Sequence, residues 1–462
     1  MVGERAIGAS NVGSPCVPLA EPTRTPLRSQ DRFRARSESG RVPQAAKTGL
    51  AARAISRCCD LLSERGQVSG GKCAAEVLAA YRSLRPSAID AFFDWLAAEC
   101  SSDPDAIRRS ADLYRSDPSA SNLRNLQRAT QTPRLELFRR LNLAPGGLGA
   151  LIEMRAHLLR GLDQHPAWGG IEAELDELLR SWFNHGFLAC RRIDQQTSPA
   201  ILEKLIRYEA VHQIRDRRDL QRRLDSDRRC YALFHPALPE DPVIFTELSL
   251  TRGMSPRVQP LLDTDAPVLD AASCTFAVFY SISNCHEGLK GFSFGNTLIR
   301  SVVEELRAEL PRLKRFATLS PVPGFRPWLA GLVGSSNGIC RQSKLASLPA
   351  RLDAPDWMAD RAQRMELERA LIPLCAYYLL RAKQGTEPAD PVARFHLGNG
   401  ARLARINWLG DTSAAGMRRS AGITVNYVYD LENLERNHEA YSTEGRVRAA
   451  RRIESLAREV SF

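Results

Sequence analysis

The sequence predicts an α+β protein in which an all-helical region precedes a mixed-sheet α/β domain. Three observations carry that prediction. From about Ala51 to Tyr208 apolar residues recur at helical spacing: Ile89, Phe92, Phe93 and Leu96; then Leu148, Leu151, Ile152, Leu158 and Leu159; and most clearly Leu175, Leu178, Leu179, Trp182 and Phe183. After His212 short β-rich runs take over, at Cys230 to Phe234, Val243 to Leu250, Thr275 to Ser283, Arg315 to Leu319, Leu403 to Trp408 and Ile423 to Tyr429. Helical segments lie between them, notably Asn296 to Leu310 and Asp360 to Lys383, so strands and helices share one domain.

Pro86, Asp103-Pro104, Asp117-Pro118, Pro145-Gly146-Gly147 and Gly169-Gly170 interrupt the helical region and divide it into six to eight helices. Residues 1–50 are rich in Pro, Ser, Gly and Arg and read as a disordered basic tail, which sets three segments: the tail 1–50, a helical domain 51–208 and a catalytic domain 209–462. The chain of 462 residues is long enough for two or three domains, and its 44% hydrophobic and 25% charged residues suit soluble globular protein. A net charge of +11 points to anionic partners, but the tail holds eight Lys or Arg against four acids and so carries four of those charges outside any folded surface. No nucleic-acid module accompanies them, so nucleic-acid binding through the tail is the weakest reading.

Eleven cysteines without metal-like spacing, several in apolar surroundings such as Cys274, Cys340 and Cys375, suit reduced thiols in a cytosol rather than disulfides or zinc. No apolar run is long enough to cross a bilayer, and neither a secretory core nor a peroxisomal tripeptide is present, so a cytoplasmic protein without membrane contact is expected.

Chemistry concentrates between Phe279 and Phe325. A strand leads into Gly288-Leu289-Lys290-Gly291-Phe292-Ser293-Phe294-Gly295-Asn296, and a helix follows with Leu298, Ile299, Val302, Val303, Leu306 and Leu310 on its apolar face. Gly291 and Gly295 permit backbone conformations and close approaches closed to other residues. Free amides at the helix start, favoured by the helix dipole and joined by the Lys290 cation, make a seat for phosphate. The Gly-Lys-Ser/Thr ending of a Walker loop and the Gly-x-Gly-x-x-Gly order of a dinucleotide fold are both absent, which leaves a pyrophosphate seat of the kind acyl-CoA acetyltransferases use. An ordinary loop accommodates the same glycines.

Ser320 follows the strand Arg315 to Leu319, and Pro321 and Pro323 stiffen what comes next, so its hydroxyl is held at a fixed place. His396, in Phe395-His396-Leu397-Gly398-Asn399-Gly400-Ala401, reads as part of a short bend, and an ordinary histidine pKa near 6.5 would suit proton transfer at neutrality. Strand alternation puts Ser281 and Ser283 on one face and Tyr427 and Tyr429 on one face, and these hydroxyls are candidates for a common cleft.

Taken together these residues resemble the malonyl-CoA decarboxylase family. The family's pieces occur in order: Glu209 to His212, Asp227 to Tyr231, Phe279 to Ser283, Gly288 to Gly291, Leu319 to Phe325, Phe395 to Ala401, Arg405 to Trp408, and Asn426-Tyr427. The resemblance implies a helical domain used in homo-oligomerisation, followed by an acetyltransferase-like (GNAT) domain that binds coenzyme A and performs decarboxylation. By position it implies that Ser320 and His396 are catalytic, that Ser281 and Tyr429 line the acyl pocket, and that Lys290, Gly291, Phe292, Ser293, Phe294, Gly295 and Asn296 form the coenzyme A loop.

The expected activity is therefore conversion of malonyl-CoA to acetyl-CoA and CO2, with no metal, biotin or pyridoxal phosphate. Loss of CO2 leaves electrons that delocalise onto the thioester oxygen, a charge that hydrogen-bond donors stabilise before C2 is protonated. On sequence grounds either Ser320 or His396 can deliver that proton. An acyl-CoA-dependent N- or O-acyltransferase on the same fold is the alternative, because a fold does not fix its reaction.

Overall fold

The computed structural model describes residues 50–63, 70–334, 344–354 and 356–460; the basic stretch before Leu50, and Cys340, lie outside them. The chain divides into two compact units, the first ending at Leu137 and the second beginning at Phe138.

The first unit is helical: α1 (Leu50–Leu62), α2 (Gly70–Arg82), α3 (Pro86–Glu99), α4 (Pro104–Ser116), α5 (Ala120–Thr130) and the start of α6 (Pro133–Leu141). Its core is built from Ala54, Cys58, Leu61, Val77, Leu78, Phe92, Phe93, Trp95 and Leu96, with the Tyr81 and Phe92 rings 5.4 Å apart. Residues read as breakers start helices here. Pro86 and Pro104 stand in the first turns of α3 and α4, where a missing N–H costs nothing, and Asp103 and Ser119 cap α4 and α5 through their side chains. α4 and α5 pack together as a hairpin in which no residue is fully buried.

The second unit opens with α7 (Gly147–Gly161) and α8 (Gly169–Trp182), then β1 (Ala189–Ile193), α9 (Pro199–Tyr208), α10 (Arg217–Arg223), β2 (Arg228–Phe234), β3 (Pro242–Thr251), α11 (Gln259–Leu262) and β4 (Phe276–Asn284). It continues through α12 (Gly295–Glu309), β5 (Arg315–Thr318), β6 (Ser320–Pro321), α13 (Phe325–Gly334), α14 (Leu348–Asp353) and α15 (Arg361–Arg381). After the short hairpin β7 (Lys383–Gln384) and β8 (Glu387–Pro388) come α16 (Pro391–Gly398), β9 (Arg402–Asn407), α17 (Ala414–Ser420), β10 (Thr424–Tyr429), α18 (Leu434–Glu444) and α19 (Arg451–Arg458). All six sequence-read strands are present, within two residues at each end. Nine helices stand among the described residues up to Tyr208, one more than the upper expectation.

The eight-stranded sheet runs β1-β2-β3-β4-β5-β10-β6, with β9 on the far side of β10. β1 to β4 form an antiparallel meander, and β4 and β5 are parallel, joined by the crossover helix α12 as parallel strands require. That is the mixed sheet expected. The parallel register covers only Phe276–Phe279 against Arg315–Thr318, ending where the Leu319 amide reaches the Phe279 carbonyl at 2.8 Å. Beyond it β4 runs on to Asn284 paired with β3 alone, while β6 follows β10. β4 and β6 therefore part at the carboxyl ends of the parallel pair.

One sheet face packs Ala277, Phe279, Phe316, Val425, Tyr427 and Tyr429 against the apolar sides of α12 and α15. Leu148, Ile152, Leu179 and Phe183 belong to this same core, so α7 and α8, which the sequence reading grouped with the helical domain, are built into the sheet unit. Their seating is tight: a Cβ on Gly288 would lie 1.9 Å from the Ile152 carbonyl oxygen, a backbone atom that cannot swing away. We expect Gly288→Ala to destabilise the second unit by about 1–3 kcal/mol, the usual cost of overpacking. Urea unfolding checks it, with Gly253→Ala, in the same unit and with open space for a Cβ, as the control.

Candidate active site

Ser320 stands at the first position past the parting of β4 and β5, and β10 holds it there through the Val425–Ser320 pairing. Two residues earlier on the same strand face is Thr318, whose Oγ1 accepts the Ser320 hydroxyl at 2.9 Å and the Tyr427 amide at 3.2 Å. His396 arrives from the other side of the core. It lies in the last turn of α16 rather than in a bend: Asp390 caps that helix and Pro391 opens it, a start signal the sequence reading passed over.

The two side chains meet. His396 Nε2 is 2.9 Å from Ser320 Oγ, and Nδ1 is 2.8 Å from the Tyr429 hydroxyl. The imidazole stacks on Tyr427 with ring centres 4.6 Å apart and stands edge-on to Tyr429. Burial, with no carboxylate beside it, pushes the His396 pKa from its ordinary 6.5 down to about 3. The ring is thus neutral at pH 7, contrary to the unshifted value assumed from sequence. A neutral imidazole has one N–H. Because Ser320 donates to Thr318, the arrangement satisfying every group puts that proton on Nε2, pointing at Ser320 Oγ, while the Tyr429 hydroxyl donates to Nδ1.

Ser281 does not join them. β4 carries a bulge, since Ser281 faces Glu247 while Phe279 faces Leu248, and the extra Tyr280 turns the hydroxyls of Ser281 and Ser283 to the opposite sheet face. There Ser281 donates to Glu209, with oxygens at 2.7 and 2.9 Å, and Ser283 lies within 3.4 Å of the same carboxylate. The two serines share a face as expected, and so do Tyr427 and Tyr429, but the two faces differ.

The loop from Lys290 to Asn296 is held from behind. Arg155 of α7 donates to the carbonyls of Gly288 at 2.7 Å and Lys290 at 3.1 Å, and Glu172 and Asp176 of α8 balance its charge at 2.8 Å each. Phe292 stacks on Phe294 and lies under the guanidinium groups of Arg180 and Arg155, at 4.7 and 5.3 Å. Gly291 has φ +90°, so its turn does need glycine. Gly295 has a different reason: a Cβ there would sit 2.0 Å from the Phe395 ring, so its bareness seats α12 against the helix that carries His396. No side chain caps the start of α12, and Lys290 and Gly291 are exposed beside it. These amides and the ammonium suit a diphosphate. Among the described residues no cluster of His, Cys, Asp or Glu is arranged to hold a metal ion, and no helix is long and apolar enough to cross a membrane.

The family model described as malonyl-CoA decarboxylase C-terminal domain matches residues 186–461, and that described as malonyl-CoA decarboxylase N-terminal domain matches residues 101–183. The chain belongs to the malonyl-CoA decarboxylase family. A mitochondrial malonyl-CoA decarboxylase of Anser anser anser is 37% identical over 350 residues, covering 70% of this chain and 69% of its own. The crystal structure of malonyl-CoA decarboxylase from Rhodopseudomonas palustris superposes with TM-score 0.84 at 44% identity, over 88% of this chain and 99% of that one. The corresponding structure from Agrobacterium vitis gives 0.82 at 43% identity, over 87% and 99%.

Within this member of the malonyl-CoA decarboxylase family the sequence reading missed three residues that build the site: Thr318, Arg155 and Asp390. Arg155 was detectable as a charge on the apolar side of the Leu148–Leu158 stripe, and Thr318 by alternation from Ser320. The neutral state of His396 has a measurable consequence. Between pH 6.5 and 3 the unfolded chain binds a proton at this residue that the folded chain does not, so its share of stability is present above pH 6.5 and is lost as pH falls. Wild type should therefore lose about 2–3 kcal/mol more than His396→Asn between pH 7 and 4.5, by urea titration. Equal losses would contradict the burial argument.

Proposed function

We propose that this chain converts malonyl-CoA to acetyl-CoA and CO2 where β4 and β6 part. The observation that carries the proposal is the buried 2.9 Å contact of Ser320 with His396 at the carboxyl end of the parallel strands, where α/β sheets bind ligands. In this reading the coenzyme A diphosphate occupies the Lys290 to Asn296 loop and the thioester enters towards Ser320. On binding, the Ser320 hydroxyl turns its proton from Thr318 to the malonyl carboxylate and holds that group out of the thioester plane. Backbone amides of β4 past Phe279, which no β5 carbonyl engages, hold the thioester oxygen.

The bond between C2 and the carboxylate carbon breaks, CO2 leaves, and the electron pair moves onto the thioester oxygen as an enolate. One proton then forms the new C2–H bond, and we assign its delivery to His396. An empty site leaves the imidazole neutral, but a bound malonyl carboxylate brings the negative charge it lacks and raises its affinity for a proton. Tyr429, a donor to Nδ1 in the neutral ring, becomes its acceptor once its hydroxyl turns. Water restores the proton after each turnover. Hydrogen-bond donors and one proton suffice, so we assign the reaction no metal, biotin or pyridoxal phosphate.

Finer readings go with this one. Malonate or fatty-acid metabolism is the setting to which the substrate belongs, and the nine described cysteines, all free, fit a reducing cytoplasm. Homo-oligomerisation through the helical region is supported by the α4–α5 hairpin, which exposes Leu113 and Leu123. The double variant Leu113→Glu/Leu123→Glu should lower the assembly mass seen by light scattering; an unchanged mass would count against that surface.

Incubation of the purified protein with malonyl-CoA alone tests the function. Acetyl-CoA and CO2 should form in equal amounts; strict dependence on an added amine or alcohol would instead establish an acyltransferase. Ser320→Ala and His396→Asn should each lower turnover about a hundredfold, as expected for an oriented donor or acid–base group. Lys290→Ala should chiefly raise the Michaelis constant, and near-normal kinetics in all three would refute the site.

A further inference from the structure

Ser320 and His396 reach their contact from separate parts of the chain, so something must fix the turn after Ser320 relative to α16. A single carboxylate touches both. Asp390 Oδ1 accepts the amides of Val392 and Ala393 at 3.0 and 2.9 Å, capping the helix six residues ahead of His396. Its Oδ2 accepts the Gly324 amide at 3.2 Å, and Gly324 lies four residues past Ser320 along a segment stiffened by Pro321 and Pro323. The Tyr378 hydroxyl of α15 adds a further hydrogen bond. Asp390 is fully buried, and a buried carboxylate is tolerated only when donors such as these surround it. Gly324 shows how closely the joint is built: a Cβ there would lie 2.0 Å from the Tyr378 hydroxyl and 3.4 Å from Oδ2.

We propose that Asp390 is the positioning residue that sets the Ser320–His396 contact, tying the serine turn to the histidine helix through its two oxygens. This rests on the reading that the pair performs the chemistry. Asp390 touches no reacting atom in this account; it acts through the two residues it joins. Its two oxygens are separable by substitution. Asn caps a helix as well as Asp but presents an amide donor to the Gly324 N–H, so Asp390→Asn breaks the tie and spares the cap. Ser also caps, with a side chain too short to reach Gly324 as well, so Asp390→Ser makes the same cut by a different route and stands in if the first variant does not fold.

The experiment pairs steady-state kinetics on malonyl-CoA with NMR of protein labelled with ¹⁵N at histidine, the His396 Nε2–H resonance being assigned by its loss in His396→Asn. In the folded variants kcat should fall about 10- to 100-fold with KM within about twofold. The Nε2–H signal should shift and lose its protection from solvent exchange. A folded variant with kcat within about twofold of wild type and an unmoved, protected resonance overturns the inference, whatever its stability. If wild type itself releases no CO2, the proposed function fails, and the imidazole resonance still decides whether Asp390 sets the contact.

Discussion

Everything at this site depends on the parting of β4 and β5 after Phe279 and Leu319. A parallel pair needs a crossover, and here the crossover helix α12 starts past the carboxyl end of β4 with its first turn uncapped. The same break separates β5 from β6, so the residue directly past it, Ser320, is placed by β10 and by two prolines rather than by a neighbour on the β4 side. Had β5 continued its register with β4, ladder hydrogen bonds would occupy the edge of β4 past Phe279. The bulge at Tyr280 belongs to the same device, because it turns the Ser281 and Ser283 hydroxyls out of the Ser320 face just where β4 loses its partner.

The two faces of the sheet treat charge in opposite ways. On the Ser281 side the buried Arg223 charge is paired with Asp219 at 3.0 Å and lies 2.7 Å from Glu247, whose carboxyl burial pushes up to about 8, while Glu209 accepts from two hydroxyls and two amides. Such pairs hold structure because each desolvated charge has its partner. On the Ser320 side the imidazole has aromatic rings and hydroxyls around it but no counter-charge, and burial keeps it neutral. A pocket in that state gains most from a ligand that brings its own anion. In the proposed reaction a malonyl carboxylate is such a ligand, and its charge stays, as the enolate, until C2 is protonated.

Much of the fold was legible because the signals were local. Strands such as Val243–Leu250 and Ile423–Tyr429 showed as β-rich runs, and the stripe Leu175–Phe183 announced α8 by its spacing. What stayed hidden was non-local. Nothing in the spacing of Leu148 and Ile152 says that they pack on the sheet unit; that follows from Gly288 approaching the Ile152 carbonyl. The Tyr280 bulge is a mismatch between two strands and has no signature in either. Ser320, His396 and Tyr429 were readable as individual chemical groups and through family resemblance. The neutral state of His396 was not, because a pKa is set by what surrounds the ring. Gly295 was read as room for a ligand and proved to be room for Phe395, since sequence shows that a side chain is missing but not what fills the space.

The most direct test of the account is a crystal structure with a malonyl-CoA analogue whose amide linkage replaces the thioester and resists decarboxylation. The account predicts the analogue's carboxylate within hydrogen-bonding distance of Ser320 Oγ, on the His396 side of the sheet, with the diphosphate at the Lys290 to Asn296 loop. A carboxylate seated instead against Glu209 and Ser281, or a diphosphate bound away from that loop, would contradict it.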